Sequence, residues 1–266
     1  MRYSVVKNLG LLVLAVMGTA SGSYAGTIYL VPPGLAPGDQ YQLVFVTSDT
    51  FDATSSDIST YNAEVSAEAA LNPALSAFDA LNGVTWTVIG STATVNANVN
   101  ASSSGSVYTL DGVMVASSTQ SLYSDQCSES INLCPGPGLF SPIDITQWGT
   151  TLIDSVWTGS SSGGVAQGNP SLGYAWTYLG ATLAAGGDPW GDVSQGCSTA
   201  TSNYWADCDY NSSSDLFSLY ALSSVITVEE QPAPTPEPGA FGFLAIGMVG
   251  LVASRCRKAN RSSVPR

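Results

Sequence analysis

Hydrophobic positions along the chain follow two periods. Tyr41-Gln42-Leu43-Val44-Phe45-Val46-Thr47 is β-branched and aromatic-rich and predicts a buried strand. From Ser56 to Asn72 the apolar residues Ile58, Tyr61, Val65 and Ala69 recur at three to four residues, which predicts a helix capped by Ser56 or Ser59. Pro73 interrupts it, and Ala74 to Leu81 form a second short helix. Thr85 to Ile89 is the next strand. Val107 to Leu110 and Val113 to Val115 flank Asp111-Gly112, a pair suited to a tight hairpin turn. From there to Gln195 the pattern is that of loops, with a turn at Ser160 to Gly164 and two short core pieces, Val156 to Gly159 and Tyr174 to Trp176. Ser218 to Leu222 and Val225 to Val228 close the domain as strands. No internal repeat is evident, which disfavours a solenoid or propeller. The order of elements predicts an α+β domain, with a β-sandwich as the alternative.

The two ends follow a different pattern. In residues 1–25, Arg2 and Lys7 precede an apolar run from Leu9 to Val16, and Ser23-Tyr24-Ala25 supplies small residues before Gly26. This is a secretory signal with its cut between Ala25 and Gly26; a cut after Ala20, or an uncleaved anchor, is the alternative. At the other end residues 230–238 form a proline-rich, stiff linker. Gly239 to Ser254 is apolar and uncharged, and spans roughly 24 Å as a helix, short for a hydrocarbon core of about 30 Å. Arg255, Arg257 and Lys258 follow and would stay on the cytoplasmic side.

Charge sharpens this division. The 266-residue chain has seven basic residues, twenty acids and no histidine. No basic residue lies between Gly26 and Ser254, whereas every acid does. Residues 26–229 are therefore expected to form an exported, wholly acidic domain. Nothing in it can neutralise phosphates, which argues against a nucleic-acid partner. Without histidine a Ser-His-Asp triad cannot form, and without lysine Schiff-base or Ser-Lys chemistry is excluded there. A two-carboxylate glycosidase stays formally open.

Pro236-Glu237-Pro238, the glycine-rich apolar stretch and the basic cluster together resemble the PEP-CTERM sorting signal, over residues 236–260. Cys256 departs from the pattern, since the cluster in that family is usually only Arg and Lys. The resemblance implies a Gram-negative bacterium that makes extracellular polysaccharide, processing by signal peptidase and an exosortase, and residence in the envelope, on the outer surface or in the extracellular matrix. The apolar helix would hold the chain in the membrane, in passing or as a plain transmembrane tail.

Four cysteines, Cys127, Cys134, Cys197 and Cys208, lie in the exported part. An even number in an oxidising compartment predicts two disulfides. Three pairings exist; local pairing, Cys127 with Cys134 and Cys197 with Cys208, is preferred because each pair brackets one short polar loop. Thiolate metal ligation is disfavoured, since neither spacing is CxxC and histidine is absent.

Phe45-Val46-Thr47-Ser48, the helix after it, Thr85-Trp86, Leu110-Asp111-Gly112, Val156-Trp157-Thr158-Gly159 and Leu219-Tyr220-Ala221-Leu222 follow in an order similar to that of bacterial C-type-lectin-like or endostatin-like domains. That resemblance implies a mixed sheet, a packed helix, and a long loop region that binds ligands. Trp205-Ala206-Asp207 has the shape of the lectins' Trp-x-Asp strand, though the family's Glu-Pro-Asn or Gln-Pro-Asp tripeptide is missing. Calcium could then be held by Asp188, Asp192, Asp207 and Asp209; the alternative is that these are solvated loop acids. Trp190 and Trp205 are the candidates for stacking on sugar, while Trp157 and Trp176 are expected in the core. The expected function is non-catalytic binding to, or association with, exopolysaccharide. A structural envelope protein with no specific ligand is the main alternative.

Overall fold

The computed structural model describes residues 26–102, 104–123, 138–166, 178–180 and 192–229. Tyr174 to Trp176, Cys127, Cys134, Asp188, Trp190, Ala25, Pro236, Glu237, Pro238, Arg255, Arg257 and Lys258 lie outside them.

The first strand, β1 (Gln40–Val46), organises the molecule. It is followed by α1 (Ile58–Leu71), α2 (Pro73–Asn82), β2 (Trp86–Val88), the single turn α3 (Ala97–Asn100), β3 (Ser106–Thr109) and β4 (Met114–Ala116). After the single turn α4 (Thr119–Leu122) come β5 (Ser155–Trp157), β6 (Asp192–Cys197), β7 (Asp209–Ser212), β8 (Ser218–Ser223) and β9 (Ile226–Thr227). The strands form one mixed sheet in the order β4-β3-β1-β8-β5-β6-β7, with β2 also paired to β8 and β9 to β1. This is an α+β fold with a single large sheet, and the two facing sheets of a β-sandwich are not present among the described residues.

β1 runs parallel to β3, with Leu43 opposite Tyr108, and antiparallel to β8, with Phe45 opposite Ala221. Both faces of this centre are covered. Tyr41, Leu43 and Phe45 join Leu219, Ala221 and Trp157 beneath α1 and α2, in a core that includes Tyr61, Val65, Ala69 and Leu75. Val44 and Val46 point the other way, into a second core with Tyr220, Leu222, Val156, Tyr123 and Trp205. Two-sided burial explains why β1 is almost continuously apolar instead of alternating.

The predicted helices form, with one change at the start. The cap of α1 is Asp57, whose Oδ1 accepts from Ser59 N at 2.9 Å, and neither Ser56 nor Ser59 fills that role. A carboxylate there answers the unpaired N–H groups and the positive end of the helix dipole. Asn72 caps α2, with Pro73 in its first turn, and Gly83 ends it at φ 65°. The Asp111-Gly112 hairpin is as expected: Gly112 N donates to Thr109 O at 2.9 Å, and Gly112 has φ 84°. The expectation of loop up to Gln195 fails at its end, because Asp192 to Cys197 is a strand, and β7 adds another beyond it.

The exit from the sheet lies beside the approach to β1. Gly38 N donates to Val228 O, and Val228 N donates to Asp39 O, each at 2.9 Å. The segment from Gly26 to Leu35 precedes β1, with Ile28, Leu30 and Leu35 packed on the first core.

Candidate ligand surface

The acids expected to gather around calcium sit on the β6–β7 hairpin. Asp192 pairs with Ser212 at one end of this ladder, and Asp209 pairs with Gln195 at the other. Three residues of strand separate the two pairs, about 10 Å. Because side chains alternate, Asp192 and Asp209 also project from opposite faces. Asp207 is engaged elsewhere, its Oδ1 accepting from Ser194 Oγ at 3.0 Å. Among the described residues no three of His, Cys, Asp or Glu come together in a way that could hold a metal. The proposed calcium set therefore does not assemble from Asp192, Asp207 and Asp209: sequence neighbours have been separated by strand register.

Trp205 is a second correction. It is 3% exposed, with its ring centroid 5.9 Å from that of Tyr220 and 6.3 Å from that of Tyr123. Gly196 on β6 lies under the Trp205 carbonyl so closely that any Cβ would overlap it. The ring is core, with no face left for a sugar. Trp157 is fully buried as expected, and its Nε1 donates to Phe51 O at 2.9 Å.

What the hairpin does present is tyrosine. Tyr204 is 55% exposed and Tyr210 41%, one in the 3-10 turn before the strand and one in β7. Between them Cys208 is bonded to Cys197, with Cα atoms 5.7 Å apart, an ordinary disulfide span. This is the second of the two expected local pairs. Cys208 N also donates to Gln195 O at 2.7 Å, so the turn is tied by both backbone and sulfur. Trp205 inside and Tyr204 outside fix the hairpin to the core and leave a polar, aromatic outer surface.

Two carboxylates on α1, one buried and one half-buried, escaped the sequence reading. Glu68 is 3% exposed, and its Oε2 accepts from Gln147 Nε2 at 2.6 Å, Asp49 N at 3.3 Å and Ser48 Oγ at 3.5 Å. Gln147 completes the link by accepting from Ser48 N at 3.0 Å, and Asn72 Nδ2 donates to Gln147 O at 2.6 Å. This hub joins α1, the end of β1 and the turn around Gln147. Burial pushes the Glu68 carboxyl up, against the hydrogen bond from Asp49 N. Its position was legible in principle, since it falls on the helical stripe of Tyr61, Val65 and Ala69.

Glu64, one turn earlier, is half-buried, and burial followed by the charge of Asp52 pushes its carboxyl up to about 7. Its Oε2 is enclosed without a hydrogen-bond partner. Asp52 is exposed, and its Oδ1 accepts from Thr54 N at 3.0 Å.

No protein-family model and no curated protein matches this chain.

Proposed function

We propose that the chain is an exported, exosortase-sorted protein of the cell surface or extracellular matrix. Its C-type-lectin-like domain associates with exopolysaccharide without catalysis. The observation that carries this is the division of charge: basic residues flank an apolar segment at each end, and none lies between Gly26 and Ser254. Basic flanks stay inside while the acidic part crosses. Three structural features support the reading. The Cys197–Cys208 disulfide suits an oxidising compartment. The exit at Val228 is tied to the start of β1 through Gly38 and Asp39, which anchors the end of the domain from which the linker leaves. Tyr204 and Tyr210 offer flat apolar faces with polar tips on a rigid hairpin, a surface that suits sugar rings.

The test is binding of the processed protein to the polysaccharide of a host that carries the sorting system. Saturable binding without release of reducing ends is expected. Tyr204→Ala and Tyr210→Ala should each weaken it by about fivefold, the equivalent of roughly 1 kcal/mol for an aromatic contact. Absence of saturable binding would leave a purely structural envelope protein.

A second reading rests on Glu64. Burial, followed by the charge of Asp52, raises the Glu64 carboxyl to about 7, the range in which a general acid works. Release of reducing ends that disappears in both Glu64→Gln and Asp52→Asn would favour this reading over simple binding.

A further inference from the structure

The segment that follows the signal is seated, not merely attached. Gly26 N donates to Trp148 O at 2.9 Å. The backbone of Gly26 lies against that of Gly149 so closely that a Cβ at position 26 would overlap the Gly149 carbonyl. The fit is mutual: Gly149 has φ 73°, and a Cβ there would come within 3.0 Å of Gly26 C and 2.9 Å of Ile28 Cγ2. Beyond the cleft, Tyr29 N donates to Leu110 O at 2.6 Å, and Tyr41 Oη donates to Leu30 O at 2.6 Å. Position 26 therefore has a socket made for glycine, on the residue that a cut after Ala25 would make the first of the mature chain.

We propose that the amino group freed between Ala25 and Gly26 is a structural element of the exported domain, docked as an ammonium on the Trp148 carbonyl in a backbone cleft that only glycine can enter. The proposal rests on the export reading. As a peptide N–H, Gly26 makes one neutral hydrogen bond there. After hydrolysis of the Ala25–Gly26 bond by water, which leaves the carboxylate on Ala25, the same nitrogen carries a positive charge. A charge-assisted bond to the carbonyl is stronger than the neutral one. Gly26 is exposed, so the remaining ammonium protons face water. Between residues 26 and 254 there is no Lys, Arg or His, so this ammonium is the one cation in a domain otherwise charged only by carboxylates. The acceptor carbonyl at Trp148 and the absence of any competing cation both favour the protonated amine over the neutral one. A cut after Ala20 would instead leave five more residues ahead of the socket and put the charge outside it.

The absence of lysine from the domain makes the experiment simple. The full chain is expressed in a host that exports it, and the recovered protein is weighed intact. It is then treated at neutral pH with an amine-reactive ester, with peptide mapping to separate the amino terminus from Lys258. The expected result is a chain beginning at Gly26 whose terminus reacts about tenfold more slowly when folded than in concentrated urea, as an amine held on the Trp148 carbonyl in a backbone cleft should. Gly26→Ala should be cut at the same bond yet react at the unfolded rate, while Thr27→Ala keeps the slow rate. A mass that starts at Ser21 overturns the docking proposal and leaves export intact. A chain that starts at Gly26 but reacts equally fast folded and unfolded overturns it as well, with no variant needed. A precursor that keeps its signal overturns both this proposal and the export reading.

Discussion

Glu68 occupies a buried place on α1 that composition would assign to an apolar residue. Its Oε2 takes three donors, from Gln147, Asp49 and Ser48, in a domain with no basic side chain to pair with it. Truncation to alanine would take the buried acceptor from one N–H of the Gln147 amide, which keeps its other bond, to Ser48 Oγ, while the N–H of exposed Asp49 can turn to water. A buried donor left without a partner costs about 1–3 kcal/mol, so Glu68→Ala should lower the unfolding free energy from a denaturant titration by about 1 kcal/mol, and Glu68→Gln by less. The pH dependence follows from the raised carboxyls. Burial lifts Glu64, Glu68, Asp79 and Asp144, Glu64 to about 7. The folded state then binds more protons than the unfolded one, so stability falls as pH rises. For Glu64 the contribution is complete below the ordinary carboxylate range and lost as pH climbs through about 7. Thermal midpoints should therefore decline between roughly pH 5 and 8, and Glu64→Gln should flatten that decline. A midpoint that rises across the window would contradict the burial of these groups.

At the scale of elements, periodicity revealed the centre of the fold and missed its flank. β1 was legible because both its faces are buried, and α1 because its stripe keeps the helical period. The hairpin was legible because Asp111-Gly112 permits a positive φ. Gly112→Ala would strain that φ and press on Pro33 Cδ, 2.8 Å from the added Cβ, so it should cost about 1–2 kcal/mol by the same titration. β6 and β7 were not legible. Ser194 and Gln195 are buried in β6 as polar residues, held by Asp207 and Asn211, so no apolar alternation marks the strand. The same blindness misplaced the candidate site. Asp192, Asp207 and Asp209 looked close because they are close in sequence, yet the ladder turns Asp192 and Asp209 to opposite faces. Trp205 carried no local sign of its burial, since that depends on Tyr123 and Tyr220 arriving from other elements. The hairpin's disulfide was legible from spacing alone. Replacing Cys197 and Cys208 together by serine should cost about 2.5–3 kcal/mol on the chain-entropy account, and a reducing agent should act on this bond in the same direction.

For the whole molecule the governing fact is one-sided charge. Carboxylates without basic partners repel one another at low ionic strength, and the repulsion fades as the screening length shortens. The acidic domain should therefore melt higher in moderate salt than in dilute buffer, the reverse of a fold held by ion pairs. The same charge division underlies the central claim, that this is a protein made inside, exported and then released to the surface by a sorting enzyme acting near Pro236-Glu237-Pro238. The most direct test is the intact mass and location of the protein in a host with an active exosortase. The mature protein should lie in the surface or matrix fraction, begin at Gly26 and end close to Pro238. Replacing Pro236, Glu237 and Pro238 by alanine should hold it, with its basic tail, in the inner membrane. Recovery of the unaltered chain with its basic tail intact, in the same fraction as the alanine variant, would contradict the account.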